Sequence, residues 1–289
     1  MVTARSLFVT CLMLLCLVRD GRAADFSERF FQFGLFPPVS SDGVRSGNTV
    51  NAVSINLIGG YSAGTRAFAL GSVWNASRSF AHGLQLAGLL NVGGDVRGVQ
   101  LSALINVARS LKGVQIGLVN YIEDGEKGVS VGLVNIARRG GKYEFELSFS
   151  DAVNTMLSFR LGTDRFYTIF SGGCNYLFSS VEYAVGLGFG TSIDWKGAWC
   201  SQIEVQAFGI SSGKEFPGGS VNSIVQLRLP VCRELSKHFK LFAGPAFNIG
   251  LQDTAAAASG ELAPWTVWKV QRGGILAEGW IGMSAGVRF

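Results

Sequence analysis

Charged residues and proline are scarce in this chain, and each scarcity excludes a class of protein. Charged residues make up 16% of the 289 residues, well below the ~25% that is usual for soluble domains. With only six prolines, the chain is neither a proline-rich linker nor a disordered tract. Basic residues are scattered, and no Lys/Arg run is longer than Arg138 and Arg139. A nucleic-acid partner is therefore not expected.

Cysteine is too rare to supply a disulfide framework. Two of the five cysteines, Cys11 and Cys16, lie in an N-terminal apolar run. The remaining three, Cys174, Cys200 and Cys232, form at most one disulfide. We interpret them as small apolar filling residues.

The N-terminus has the features of a secretory signal peptide. Arg5 precedes an apolar run at residues 7–18, and small residues lie near Ala23. The run is too short to anchor the chain in a bilayer. We predict a signal peptide at residues 1–23 that is cleaved near Ala23, a periplasmic leader at 24–48, and one β-barrel domain at 49–289. Within that domain, residues 66–142 form a repeat half and residues 143–289 a C-terminal half.

Glycine is abundant, with 39 residues, and part of it marks four tandem copies of one short unit. The leading glycines recur every 15 residues, and the closing asparagines recur every 14 or 15. These residues are Gly83, Gly98, Gly113 and Gly128, and Asn91, Asn106, Asn120 and Asn135. Internal glycines and β-branched residues disfavour a helix, so each copy is predicted to be a strand followed by a turn. The copies fit either an antiparallel meander or a parallel β-solenoid with one copy per coil, and the repeats alone do not decide between the two.

The shorter copies raise a question of phase. In a single strand, side chains alternate between faces. Gln85 and Asn91 would then share a face, whereas Gln115 and Asn120 would lie on opposite faces unless a bulge intervened.

The C-terminal half favours the meander. Between residues 144 and 289, bulky apolar residues alternate with polar or small ones, most clearly from Val181 to Gly190. Alternation over strands of about ten residues is typical of a barrel with lipid outside and a polar lumen. Counting long and short connections back from the C-terminus gives about 14 strands. We therefore predict an all-β fold, an antiparallel transmembrane β-barrel of about 14 strands (12 to 16) built as an up-and-down meander. If any segment leaves the membrane wall, we expect it to be the repeat segment.

The last strand resembles the terminal strand of bacterial outer-membrane β-barrels, which the barrel assembly machinery recognises. Apolar residues step back by two from an aromatic C-terminus: Ile281, Met283, Ala285, Val287 and Phe289. The resemblance implies a bacterial outer-membrane location, with outer-membrane lipid and the barrel assembly machinery as partners.

Polar residues on the alternate positions are predicted to face the lumen. They are Gln85, Gln100, Gln115, Glu144, Glu146, Arg160, Glu182, Glu204 and Arg228. Because their charges are of both signs, no strong ion selectivity follows. We expect a non-enzymatic protein of the cell surface, either structural or adhesive, or a passive solute channel. The alternative is a secreted or periplasmic β-solenoid that acts as a binding module.

Groups that commonly carry catalysis are few. The chain has two histidines, His82 and His238, and no Gly-x-Ser-x-Gly motif. No Cys/His cluster has metal-site spacing. We expect no catalytic, cofactor-binding or metal-binding residues and no cofactor. A further alternative is an outer-membrane lipid hydrolase that uses His82 with Ser77 or Ser79.

The tandem Gly-Val-Gln-x-(x)-Gly-Leu-Val-Asn units, with the stretches 54–61 and 241–248 and the Gly-Val-Arg-Phe end, resemble a bacterial surface repeat-containing protein family. The resemblance extends over residues 30–289. It implies an exported, outer-membrane-associated β protein of barrel type without an established activity, and it brings no catalytic or binding residues. This sequence departs from the repeat at Ala103, where most copies have Gly, and at Ser130, where most have Gln.

Overall fold

A computed structural model describes residues 26–125, 128–177, 181–195, 197–211, 222–236, 238–253 and 265–289. The predicted signal peptide and its cleavage point lie outside the described residues. The described chain is all-β apart from one 3₁₀ helix, and it divides into two compact units between Gly141 and Lys142. Each unit is described by itself.

The first unit contains ten strands and the 3₁₀ helix at Gly43–Asn48. The strands are β1 (Ser27–Phe36), β2 (Val39–Ser40), β3 (Thr49–Asn56), β4 (Gly59–Gly71), β5 (Trp74–Ala87), β6 (Leu90–Ser102), β7 (Ile105–Ile116), β8 (Val119–Asp124), β9 (Val129–Val131) and β10 (Val134–Arg139).

The second unit also contains ten strands. They are β11 (Lys142–Ser150), β12 (Thr155–Thr163), β13 (Phe166–Asn175), β14 (Glu182–Asp194), β15 (Trp199–Ser211), β16 (Asn222–Arg228), β17 (Val231–Ser236), β18 (Phe239–Asp253), β19 (Trp268–Arg272) and β20 (Ile275–Arg288).

The repeats form a parallel β-solenoid in which one copy makes one coil. From β3 to β10 every pairing is parallel and joins a strand of one coil to a strand of the next coil. Between β6 and β7 each residue lies beside the residue 15 positions later, as Gly98 does beside Gly113 and Gln100 beside Gln115. At the N-terminal end β1 joins β3 in parallel, and the short β2 pairs with β1.

The regular glycine spacing has a steric cause. Gly83, Gly98 and Gly113 all have a positive φ, a backbone conformation that residues with a Cβ rarely adopt. A Cβ on Gly98 would also lie 2.0 Å from the carbonyl oxygen of Gly83 in the preceding coil. In these three coils only glycine fits this position, and the 15-residue glycine period marks the coil length.

The prediction of one antiparallel transmembrane β-barrel of about 14 strands, built as a meander, is wrong. The repeats pair in parallel as a solenoid, and the described strands belong to two separate sheets of ten. The period-two alternation is a property of the C-terminal half and does not determine how the repeats pair. A strict repeat places the same residue on every coil, and the parallel register follows from that stacking.

The phase question of the shorter copies is answered by a corner. Gln115 lies on β7 and Asn120 on β8, and the bend at residues 117–118 separates them. The alternation of a single strand therefore does not connect the two side chains, and both point inwards. The missing residue corresponds to Ala87 and Ser102, the last strand residues of the longer copies.

The second unit is an antiparallel sheet. Its strands pair in chain order from β11 to β15; β15 then pairs with both β16 and β17, and each of these pairs with β18. The order of pairing returns to its first strand, because β20 pairs with both β18 and β11. β19 pairs with β20 alone among the described strands.

The two faces of this sheet differ in chemistry. Along β14, Tyr183, Val185, Leu187 and Phe189 are exposed, and the residues between them are small and mostly buried. Most of the buried polar and charged side chains of the unit lie on the inner face, beside an apolar cluster that contains Met156, Phe208 and Trp280. In a water-soluble domain the apolar face would be the buried one.

Within the described residues, no helix is long and apolar enough to cross a membrane.

Candidate functional site

Two lines of stacked amide side chains, the amide ladders, fill one part of the solenoid interior. In the asparagine ladder, each Nδ2 donates to the Oδ1 of the next coil over 2.9–3.1 Å. Its members are Asn75, Asn91, Asn106, Asn120 and Asn135. In the glutamine ladder, Gln115 donates to Gln100 over 2.6 Å, and Gln100 donates to Gln85 over 2.7 Å. An amide both donates and accepts hydrogen bonds, so identical side chains on successive coils can bind one another along the stack.

The amide ladders are closed to solvent. Gln85, Gln100 and Gln115 are almost completely buried, as are the asparagines. Several asparagines also satisfy backbone carbonyls; for example, Asn106 Nδ2 donates to Ile116 O over 2.8 Å. The three glutamines predicted to face a lumen therefore face the solenoid core. They stabilise the stack of coils, and no ligand reaches them without opening it.

The outer surface at the neighbouring corner is aliphatic. We define the aliphatic face by its exposed members, which are Ile58, Val73, Leu89, Leu101, Leu104, Ile116 and Leu118. Leu89, Leu104 and Leu118 occupy equivalent places on successive coils and are 45%, 43% and 46% exposed. Backbone hydrogen bonds of 2.8–2.9 Å hold these corners in line, such as Val119 N to Leu104 O.

Charged residues gather at another part of each coil. Arg97 and Lys112 are exposed and lie side by side in the parallel register. Arg138 pairs with Glu123 over 3.2 Å, also from one coil to the next. The solenoid therefore has an aliphatic face at one corner and a charged face at another, although both come from the same repeat.

His82 lies at this charged part of the coil and packs against Phe80, with ring centroids 4.8 Å apart. Partial burial, and then the positive charge of Arg97, lower the pKa of His82 below its usual value. The Ser77 hydroxyl instead faces the interior, where Gln85 donates to it over 3.0 Å. A Ser77–His82 pair is therefore not assembled, and Ser79 Oγ is buried with no hydrogen-bond partner among the described residues.

In the second unit, five ionised side chains form a fully buried ionic centre. Its members are Glu146, Arg160, Glu204, Arg228 and Arg288. Arg160 binds Glu204 in a fork, with N–O distances of 3.0–3.2 Å. Arg228 bridges the two glutamates, at 3.0 Å from Glu146 and 2.6 Å from Glu204.

Neutral and aromatic groups complete the ionic centre. Tyr167 donates its hydroxyl to Glu204 over 2.9 Å. Arg288 donates to Glu146 over 2.8 Å, and its guanidinium lies 4.1 Å from the centroid of the Phe242 ring. The several partners of each buried ion offset its loss of water, which an isolated ion would not tolerate.

Glycines of β14 make room for these interior groups. A Cβ on Gly190 would lie 2.6 Å from the Tyr167 ring, and one on Gly188 would lie 2.4 Å from the Gln206 side chain. The glycine-rich run at residues 186–190 thus admits bulky neighbours on the inner face.

The other residues predicted to face a lumen have varied surroundings. Glu144 is buried, and its carboxylate lies 3.1 Å from Lys240 Nζ and 3.8 Å from Lys142 Nζ. Glu146, Arg160, Glu204 and Arg228 meet in the ionic centre, whereas Glu182 is partly exposed at the start of β14.

The predicted assembly-signal residues lie on β20 and at its end. Ile281, Met283, Ala285 and Phe289 point outwards and are exposed, and Val287 is partly exposed. Between them, Arg288 points inwards to the ionic centre. The last strand therefore presents an apolar row on one face and a buried ion on the other.

Sequence reasoning missed Asp151 and the groove beside it. This groove, with a volume of about 580 Å³, is lined mainly by apolar residues such as Phe149, Leu177 and Trp265, and Asp151 is also part of its lining. Asp151 accepts hydrogen bonds from Asn248 Nδ2 at 3.1 Å, Met283 N at 2.9 Å and the Trp280 indole. These bonds occupy both carboxylate oxygens, so Asp151 fixes the neighbouring strands. No local sequence signal marks it, because its partners are about 100 or more residues away.

The described residues contain no group of three or more His, Cys, Asp or Glu side chains arranged to hold a metal ion.

No protein-family model, curated protein or solved structure matches the chain.

Proposed function

We propose that this protein is an exported β-solenoid binding module whose partner is the lipid of the bacterial outer membrane, and that its role at the cell surface is structural. The aliphatic face carries this proposal. The signal-peptide pattern at residues 1–23 and the resemblance of the repeats to the surface repeat-containing family support export.

The chemistry of the aliphatic face favours lipid over a sugar or solute. Its exposed side chains have no hydrogen-bonding atoms, whereas recognition of a sugar needs polar groups placed at the surface. The amide groups of the repeat lie inside the coil. A contiguous apolar surface is expected to contact a membrane or another apolar partner.

The second unit gives independent support for lipid as the partner. Its outer face is lined with exposed apolar residues on several strands, such as Leu157, Val185 and Phe247. Its inner face holds the ionic centre. In water the apolar side chains of the outer face would stay exposed and would not stabilise the fold. In lipid the same side chains are solvated by hydrocarbon.

The interior of the second unit does not favour passive passage of a solute. Arg160 and Arg228, expected as lumen residues, are fully buried and paired with both glutamates of the ionic centre. A solute crossing at their level would have to separate several buried ion pairs, and breaking such pairs is costly. Hydrolysis of lipid by His82 is not proposed either, because Ser77 and His82 are not brought together.

The test is a polarity-sensitive dye attached at single cysteines in the full-length mature protein, with Cys174, Cys200 and Cys232 replaced by serine. Leu104→Cys places the dye on the aliphatic face. Arg97→Cys, on β6 among the charged residues, is the matched control. With phospholipid vesicles we expect a blue shift and quenching by brominated lipid at position 104 and neither at position 97. Equal, water-like signals at both positions would refute lipid contact by the solenoid.

A further inference from the structure

Two of the cysteines lie side by side in the second unit. Cys200 on β15 and Cys232 on β17 lie directly opposite each other in an antiparallel pair. Directly opposed residues in such a pair have Cα atoms about 4.5–5.5 Å apart. That separation lies within the range over which a disulfide closes without backbone movement.

The side chains of the pair also meet. Both residues are buried on the inner face and pack with Phe242 in one small cluster. Cys174, in contrast, lies on β13, where its cross-strand neighbours are Thr155 and Tyr183. The fold therefore pairs two cysteines and leaves the third apart.

From this geometry we infer that Cys200 and Cys232 form an intramolecular disulfide when the protein is exported to an oxidising compartment. The inference rests on the proposed export, because disulfides persist in such compartments and not in a reducing cytosol. The bond would fasten β17 to β15 at the place where β15 passes from one neighbour, β16, to the other.

The oxidant is an external disulfide, supplied by a thiol–disulfide oxidoreductase or by a small-molecule disulfide. The thiolate of Cys232 attacks one sulfur of that disulfide and releases the other sulfur as a thiolate, which leaves a mixed disulfide. Cys200 then loses its proton and displaces the external sulfur. In total the two cysteines lose two electrons and two protons, and the external disulfide becomes two thiols.

Arg288 favours Cys232 as the first nucleophile. Its Nη1 donates to Cys232 Sγ over 3.1 Å, and a neighbouring guanidinium stabilises a thiolate. Because Cys232 is fully buried and Cys200 almost so, the exchange takes place during folding or on opening of this strand pair.

The test counts free thiols in the full-length mature protein after it has been refolded in the presence of oxidised glutathione. The protein is denatured in iodoacetamide, and its intact mass gives the number of alkylated cysteines. We expect one alkylated cysteine in the oxidised protein and three after reduction. Cys174→Ser, the matched control, should retain the bond and show no alkylation until it is reduced. Cys200→Ser should lose the intramolecular bond.

Stability gives a second readout that needs no variant. Reduction of the oxidised protein should lower the melting temperature of the second unit by on the order of 10 °C. Three free thiols in the protein refolded with oxidised glutathione would overturn the inference, as would a bond to Cys174. A bond that forms in the purified protein but is absent from protein isolated from cells would support the pairing and refute export to an oxidising compartment.

Discussion

The two units satisfy their buried polar groups in different ways. In the solenoid, Gln100 and Gln115 are uncharged and bind their equivalents 15 residues away. In the second unit, Arg160 and Glu204 are 44 residues apart, and Arg288 and Glu146 are 142 residues apart. A solenoid satisfies its polar interior by repetition, whereas the antiparallel unit does so by bringing together ions from distant strands. The first is local in sequence, and the second requires the whole unit to be assembled.

The largest effect is expected from breaking the ionic centre. Glu204→Ala removes a partner of three arginines and should lower the stability of the second unit by about 3–5 kcal/mol, because buried charges then lack a partner. Chemical unfolding, followed through the tryptophans of the second unit, measures this. Trp74 is the one tryptophan of the first unit, and it should report an unchanged unfolding transition of that unit.

The control is Glu234→Ala, which removes an exposed partner of Lys240. It should cost less than about 1 kcal/mol. If Glu204→Ala is no more destabilising than Glu234→Ala, the ionic centre does not hold the unit together.

The steric requirement of the coil is expected to give the next largest effect. Gly98→Ala introduces a Cβ at a positive φ and 2.0 Å from Gly83 O, and it should destabilise the solenoid by about 2 kcal/mol or more. The Trp74 transition measures the change. Gly43→Ala is the matched control in the same unit, because Gly43 also has a positive φ but its Cβ would have no neighbour within 4 Å. Equal effects of the two substitutions would contradict the close approach of successive coils.

The amide ladder is expected to contribute less at any one position. Asn106→Ala removes the acceptor for Asn91 and the donor to Asn120 and Ile116 O. The cost should be about 1–3 kcal/mol, since buried amide groups lose their partners. Ser110→Ala, which removes an exposed hydrogen bond to Asp95, is the control in the same urea titration. A near-zero cost for Asn106→Ala would show that the ladder is not closed to water.

The aliphatic face should contribute least to folding. Leu104→Gln places a polar group on an exposed corner and should change the stability of the solenoid by no more than about 0.5 kcal/mol. The same substitution should reduce dye-reported lipid contact at a neighbouring position of the face, such as Leu118→Cys. A large loss of stability would place Leu104 in the core instead.

Much of the local structure was visible in the sequence, but its pairing was not. The glycine and asparagine periods gave the length of one coil, and the alternation around Val185 gave two-faced strands. Neither pattern states whether neighbouring strands run in the same or in opposite directions, and that choice decided between solenoid and meander.

The candidate site was predictable to different degrees in the two units. Gln85, Gln100 and Gln115 stand at one place in each repeat, so their stacking follows once the parallel register is known. The ionic centre could not be assembled in advance, because nothing local to Glu146 or Arg288 indicates a partner at the other end of the unit. The same limit applies to the Cys200–Cys232 pairing, which depends on a cross-strand register.

The central claim, a parallel in-register solenoid, is tested most directly by dipolar broadening between two nitroxide labels. One variant has labels at 97 and 112, and the other has labels at 101 and 116, on a background with the native cysteines replaced by serine. In the parallel register both pairs lie on adjacent strands, with backbones about 4.8 Å apart, and both spectra should be strongly broadened. In an antiparallel meander at most one pair is adjacent, and the other is on the order of 25 Å apart. Broadening in both variants is the predicted result, and broadening in only one or in neither would contradict the solenoid.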